Sequence, residues 1–135
     1  MKKRNLILSA IILLSIHCYS ENFAIEAVKV GPNPIVQGKH DLVVNYTAST
    51  YHRAQYYLYS TTGELFFYKQ INSNEAEMVC SESYTTSGDC EFILETASTM
   101  AAIPTQLYVL AMVFTSTSGN SIGDSISKKK YVIVK

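Results

Sequence analysis

Short runs of strand-forming residues, separated by turn formers, recur along the chain from residue 23 onward. The clearest run covers residues 41–48, where alternate positions are apolar: Leu42, Val44 and Tyr46. A period of two residues is typical of a strand with one face against a core. We predict a strand here, preceded by an edge strand over residues 23–30, which the two prolines of segment 31–34 end.

The best hairpin signal joins residues 54–60 to residues 64–71 through the turn Thr61-Thr62-Gly63. Gly63 supplies the positive φ that a tight turn needs. The residues expected to line one surface of this hairpin are Tyr56, Leu58, Leu65 and Phe67.

Four further segments complete the predicted elements. A second hairpin is expected from residues 76–80 and 90–96, around the polar loop 81–89. Residues 106–115 are apolar on both parities, which indicates a central strand covered on both faces. Residues 128–135 alternate and predict the last strand. Residues 96–103 have room for a helical turn or two before Pro104.

This succession of strands has no βαβ alternation and no repeat of fixed period. About seven short strands within residues 21–135 predict one all-β domain, an antiparallel β-sandwich of immunoglobulin-like type. The buried Trp and widely spaced cysteines of antibody domains are absent, since the chain has no Trp. We therefore predict the sandwich architecture without the residues that mark antibody domains.

Residues 1–20 have the layout of a secretory signal peptide. Three basic residues precede an apolar run over residues 6–16, and small residues stand three and one positions before a cut after Ser20. The run is too short for a membrane span, which needs about 20 apolar residues. In the alternative, a lipoprotein signal, Cys18 would be lipidated and become the first residue. Both kinds of signal predict an extracytoplasmic protein, which is periplasmic, at the outer membrane surface, or secreted.

The formal net charge of zero changes when the leader is removed. Eight basic residues then face eleven acidic ones, so the remaining domain carries about −3. Nucleic acid and anionic membranes require a basic field. We therefore expect neither as a partner, and no membrane span in the mature chain.

Removal or lipidation of Cys18 leaves two of the three cysteines, Cys80 and Cys90, which we expect to form one disulfide. A metal site would need two more ligands at suitable spacing. The remaining histidines, His40 and His52, are far from the cysteines in sequence. We predict no metal and no cofactor.

Catalytic residues are not expected. Nucleophilic catalysis needs an activated nucleophile with a base in reach, and no Gly-x-Ser-x-Gly elbow is present. Tyrosines concentrate around the first hairpin, and the outward Tyr57 and Tyr59 are a candidate aromatic platform for a protein or a glycan. The alternative for these residues is ordinary strand propensity. Lys128, Lys129 and Lys130 could contact an anion, although edge charges more often block aggregation.

A resemblance adds to this interpretation. Residues 28–34, Gly38, residues 42–46, the hairpin 57–65 and the final segment 129–135 resemble the immunoglobulin-like domain of bacterial flagellar hook-capping proteins and related C-terminal modules of secreted bacterial proteins. The resemblance implies a non-enzymatic module with no catalytic residue to carry over. The Trp-Asp-Gly-like segment usual in that family is absent, and Cys80 and Cys90 stand in that stretch.

The leading functional hypothesis is an exported, non-enzymatic bacterial binding or structural module of the cell envelope. One alternative is a subunit of an envelope or appendage assembly related to hook-cap scaffolds. Another is a surface lipoprotein anchored at Cys18. A secreted enzyme is the least favoured class, because no catalytic constellation is visible.

Overall fold

Eight antiparallel strands form two four-stranded sheets in the computed structural model, which describes residues 22–81 and 88–135. The strands are β1 (Ile25–Gly31), β2 (Leu42–Ala48), β3 (His52–Ser60), β4 (Leu65–Asn72), β5 (Met78–Cys80), β6 (Gly88–Glu95), β7 (Gln106–Ser116) and β8 (Ser125–Val134). The first sheet has the order β1-β2-β6-β5 and the second the order β4-β3-β7-β8. The all-β prediction is confirmed, with eight strands where about seven were expected.

Three predictions lie outside the described residues. These are the signal peptide over residues 1–20, lipidation of Cys18, and the tip of the polar loop at residues 82–87.

The core lies between the two sheets and is filled by the inward positions of the strands. In β3 every second residue from His52 to Ser60 is buried, and β2 follows the predicted alternation from Leu42 to Ala48. The largest fully buried side chains include Tyr56, Tyr108, Phe114, Leu58 and Leu110. The alternation of apolar and polar residues therefore predicts correctly which side chains of these strands face the core.

The first hairpin forms as predicted, with one difference in register. Gly63 has φ +91°, as the turn requires, and Gly63 N donates to Ser60 O at 3.0 Å. Leu58 pairs with Phe67, but Tyr59 pairs with Leu65, so β4 carries one extra residue in a bulge. The prediction that Leu65 lines the inner surface is wrong, because the bulge turns it outward and leaves it 49% exposed.

The outer edge of β8 is covered near its C-terminal end by the segment that follows β1. Ile35 N donates to Ile133 O and Lys135 N donates to Ile35 O, both at 2.8 Å, in a parallel bridge. The side chain of Asn33 continues this pairing, since Nδ2 donates to Tyr131 O at 3.2 Å and Oδ1 accepts from Ile133 N at 3.0 Å. The side-chain amide of Asn33 thus makes the hydrogen bonds to β8 that the backbone of a neighbouring strand would otherwise make.

The short helix α1 (Ala97–Met100) connects β6 to β7, within the segment where a helical turn was predicted. Ala97 N donates to Asp41 Oδ1 at 2.7 Å, and Met100 is fully buried. The helix therefore closes one end of the core.

Candidate functional site

Tyr57 and Tyr59, the predicted platform residues, both lie on the outward side of β3. Their rings are stacked, with 6.2 Å between centroids and 10° between planes. Tyr68 of β4 pairs directly with Tyr57, and the centroids of these two rings are 4.9 Å apart. The structure therefore brings the two predicted tyrosines together and adds a third ring to them.

A shallow trough runs along β7 beside these rings. Val109 of β7 pairs with Tyr59 on one side and with Tyr131 of β8 on the other. Adjacent strands are about 4.8 Å apart, so these two tyrosines stand about 10 Å apart across the small side chains of Val109 and Ala111. We call the following residues the aromatic face: Tyr57, Tyr59, Tyr68 and Tyr131, with Val109 and Ala111 between them.

The exposure of β7 corrects one sequence prediction. This strand is central, as expected, but only its inward face is covered within the described part of the chain. Its outward residues Val109, Ala111 and Val113 are half-exposed. At one end of the aromatic face, further apolar side chains are exposed: Leu65, Leu107 and Ile133. The apolar residues on both parities of β7 thus belong to a core on one side and to an open surface on the other.

Side-chain amides border the aromatic face at its other end. Gln55 Nε2 donates to Tyr68 Oη at 3.2 Å, and this hydroxyl donates to Gln70 Oε1 at 3.0 Å. These contacts fix the ring of Tyr68 and leave polar groups beside it. The face can therefore offer ring surfaces and hydrogen-bonding groups to the same ligand.

The two sheets have opposite charge. The strands of the second sheet contain no acidic residue. Their basic residues are Arg53, Lys69, Lys128, Lys129 and Lys130. The strands of the first sheet carry four acidic residues and one basic residue, which are Glu26, Asp89, Glu91, Glu95 and Lys29. The aromatic face therefore lies on the basic side of a molecule whose formal net charge is low.

Cys80 and Cys90 face each other in β5 and β6, and their sulfur atoms are 2.15 Å apart, which is disulfide distance. Cys90 is buried and Cys80 is half-buried. The predicted pairing thus agrees with the positions of both residues.

A buried polar cluster was not found by sequence reasoning. Tyr46 Oη donates to His52 Nε2 at 2.5 Å, and His52 Nδ1 donates to Thr50 O at 2.9 Å. The backbone carbonyl accepts only, so it fixes the proton on Nδ1. The Tyr56 hydroxyl is also buried and has no hydrogen bond of good geometry within the described residues. The sequence signal was parity: Tyr46 shares the parity of Leu42 and Val44, and His52, two residues before the predicted strand 54–60, shares the parity of Tyr56 and Leu58.

Burial determines the protonation of this cluster. It raises the pKa of Tyr46 and of Tyr56, and it lowers the pKa of His52. His52 is therefore neutral at pH 7, and its Nε2 accepts a hydrogen bond from the Tyr46 hydroxyl. Because His52 already uses both ring nitrogens within the core, the cluster holds the two sheets together and has no free base to offer a substrate.

We predict a pH dependence of stability from His52. In the unfolded chain its pKa is about 6.5, and in the folded domain it is lower. Between those two values the unfolded chain binds more protons, so the free energy of unfolding falls as the pH decreases below about 6.5, by at most about 1.4 kcal/mol per pH unit. Urea denaturation at about pH 7.5, 6.5 and 5.5 measures the slope. His52→Gln should flatten it, whereas His40→Gln, the matched control, should not. An equal slope in His52→Gln would contradict the assignment.

Within the described ranges 22–81 and 88–135, no group of three or more His, Cys, Asp or Glu side chains converges in a way that could hold a metal ion. Nor is any helix of these ranges long and apolar enough to cross a membrane.

No family model matches the chain, and no curated protein is significantly similar to it.

Proposed function

We propose that this protein is an exported, non-enzymatic binding module of the bacterial cell envelope, with the aromatic face as its binding surface. The observation that carries the proposal is the group of four outward tyrosines around the apolar trough of β7. Tyrosines supply large contact area at low entropic cost and are enriched where proteins bind their partners. A sheet that only needed solubility would place charged residues at these positions.

Four features support the finer parts of this proposal. The signal-like pattern of residues 1–20 supports export to a periplasmic, surface or secreted location, and the Cys80–Cys90 pair suits an oxidising compartment. The strand orders β1-β2-β6-β5 and β4-β3-β7-β8 support an immunoglobulin-like type of sandwich. The resemblance to hook-cap domains over residues 28–65 points the same way.

The test is binding of the purified protein to isolated bacterial envelope fractions. The double variant Tyr57→Ser, Tyr59→Ser should bind at least about tenfold more weakly, since two interface tyrosines each contribute more than about 1 kcal/mol. The matched control is Val79→Ser, Ile93→Ser, which removes two exposed apolar side chains from the first sheet. Unchanged binding by the tyrosine variant would contradict the proposal.

A second candidate function is a subunit of an envelope or appendage assembly. The opposite charge of the two sheets favours it, because the first sheet of one copy is complementary to the second sheet of another, and such head-to-tail contacts build open assemblies. Analytical ultracentrifugation at low and high salt distinguishes the two functions. A protein that stays monomeric at every protein and salt concentration would contradict self-assembly. In either functional class, an added lipid mass on Cys18 would identify the protein as an anchored lipoprotein.

A further inference from the structure

A cleft of about 590 Å³ lies between β1 and β8, which are edge strands of the two sheets. Its lining includes Lys29 of β1 and Lys130 of β8, with Asn45 of β2 behind them. The lining contains no acidic residue. The cleft therefore has two cationic groups, two side-chain amides (Asn33 and Asn45) and apolar walls.

Neither lysine forms an ion pair within the described part of the protein. The ion pair found there joins Lys69 to Glu95, on the opposite side of the molecule. Lys29 is the one basic residue in the strands of the acidic first sheet. It lines the cleft opposite Lys130 of β8, and it also borders the neighbouring groove that Asp89 and Glu91 line. Two like charges on opposite walls favour an anion between them.

The cleft is continuous with the aromatic face. Tyr131 lines the cleft and also belongs to the aromatic face, and it is 66% exposed. A ligand that occupies the cleft would therefore extend past Tyr131 into the trough of β7.

The backbone of β1 is irregular next to the cleft. Ala27 has φ +53°, and the register of β1 with β2 shifts between Glu26 and Lys29. A bulge of this kind re-aims the side chains that follow it. It buries Val28 and places Lys29 in the lining of the cleft.

Polypeptide is a poor match for this cleft. An extended peptide would bind by pairing with a strand edge. At β8 the Asn33 side chain already bonds Tyr131 O and Ile133 N, and the edge of β1 is interrupted by the bulge at Ala27. Recognition must therefore use side chains: ammonium groups, an amide and an aromatic ring. These groups match the carboxylate, the hydroxyls and the C–H face of an acidic sugar. The lining has no Arg, whose fork suits phosphate.

We propose that the partner of the aromatic face is a carboxylate-bearing polysaccharide, and that Lys29 and Lys130 bind one of its carboxylates in the cleft. This inference rests on the proposed function and specifies its ligand. The sugar units beyond that carboxylate pack on Tyr131 and on the tyrosines of β3.

Titration calorimetry with polygalacturonate, on the exported and oxidised protein, tests this inference. Binding should be at least about tenfold weaker in Lys29→Gln, Lys130→Gln, and it should weaken when ionic strength rises from about 0.05 M to about 0.3 M. The matched control Lys39→Gln, Lys135→Gln removes the same charge outside the cleft and should bind nearly as well as the unaltered protein. Dextran, a neutral polysaccharide, should bind much more weakly than polygalacturonate.

Four results would overturn the inference: no binding of polygalacturonate, equal binding of dextran, equal loss in both lysine variants, or preferential binding of polyglutamate, which would indicate an acidic protein partner. The envelope assay with Tyr57→Ser, Tyr59→Ser separates this failure from that of the proposed function. If the tyrosine variant loses envelope binding while polygalacturonate does not bind, the aromatic face still binds a partner, but of another chemistry.

Discussion

Replacing Phe114 by Ala should lower the free energy of unfolding by about 3–5 kcal/mol, the largest effect we expect from a single substitution. Phe114 is fully buried at the centre of the core. Its ring centroid lies 4.7 Å from that of Tyr46, 6.1 Å from that of His52 and 6.3 Å from that of Tyr56. The cavity left by Ala would remove packing from residues of both sheets at once. A domain of this size is stable by about 5–15 kcal/mol, so the substitution should remove a large share of the total stability.

Urea denaturation followed by circular dichroism measures this loss. Val113→Ala is the matched control, because Val113 is the neighbour of Phe114 in β7 and points to the half-exposed outer face. It should cost less than about 1 kcal/mol. If the two substitutions cost the same, the assignment of inner and outer faces along β7 is wrong.

Loss of the Cys80–Cys90 disulfide is the second large effect. The bridge joins residues ten positions apart in sequence. Closing a loop of this length restricts the unfolded chain and contributes about 2–3 kcal/mol. Reduction should therefore lower the melting temperature without abolishing the fold, since most of the core lies away from β5. Melting temperatures with and without reductant measure the effect.

The double variant Cys80→Ser, Cys90→Ser provides the control, because reductant should leave its melting temperature unchanged. The intact mass of protein purified from the envelope tests the chemistry directly. A chain that begins at Glu21 and lacks two hydrogens fits the proposal. Free thiols at both positions, or retention of residues 1–20, would contradict it.

The alternation of β2 and of β8, and the turn at Gly63, made most of the strand pattern predictable from sequence. These signals are local, since side-chain direction follows from a period of two. The bulge in β4 was not predictable, because one inserted residue changes which face Leu65 occupies without changing the composition of the segment. Apolar residues on both parities of β7 likewise cannot distinguish a covered outer face from an exposed one.

The candidate site was predictable only in part. Tyr57 and Tyr59 are two residues apart on one strand, so their shared face could be inferred. Tyr131 joins them only because β8 lies beside β7, a contact between residues far apart in sequence. The same holds for the cleft between Lys29 and Lys130, since it depends on how the edges of two sheets meet.

The bonds between segment 33–37 and the end of β8 also determine how the domain carries tension. The two segments run parallel, and Gln37 N donates to Lys135 O at 2.8 Å in addition to the bonds of Asn33 and Ile35. A pull between residues 33 and 135 therefore slides one segment along the other and loads all these bonds together. They have to break at the same time, whereas a hairpin pulled from its open end loses its bonds one by one. A force applied between these two segments would thus meet high resistance to mechanical unfolding at this contact.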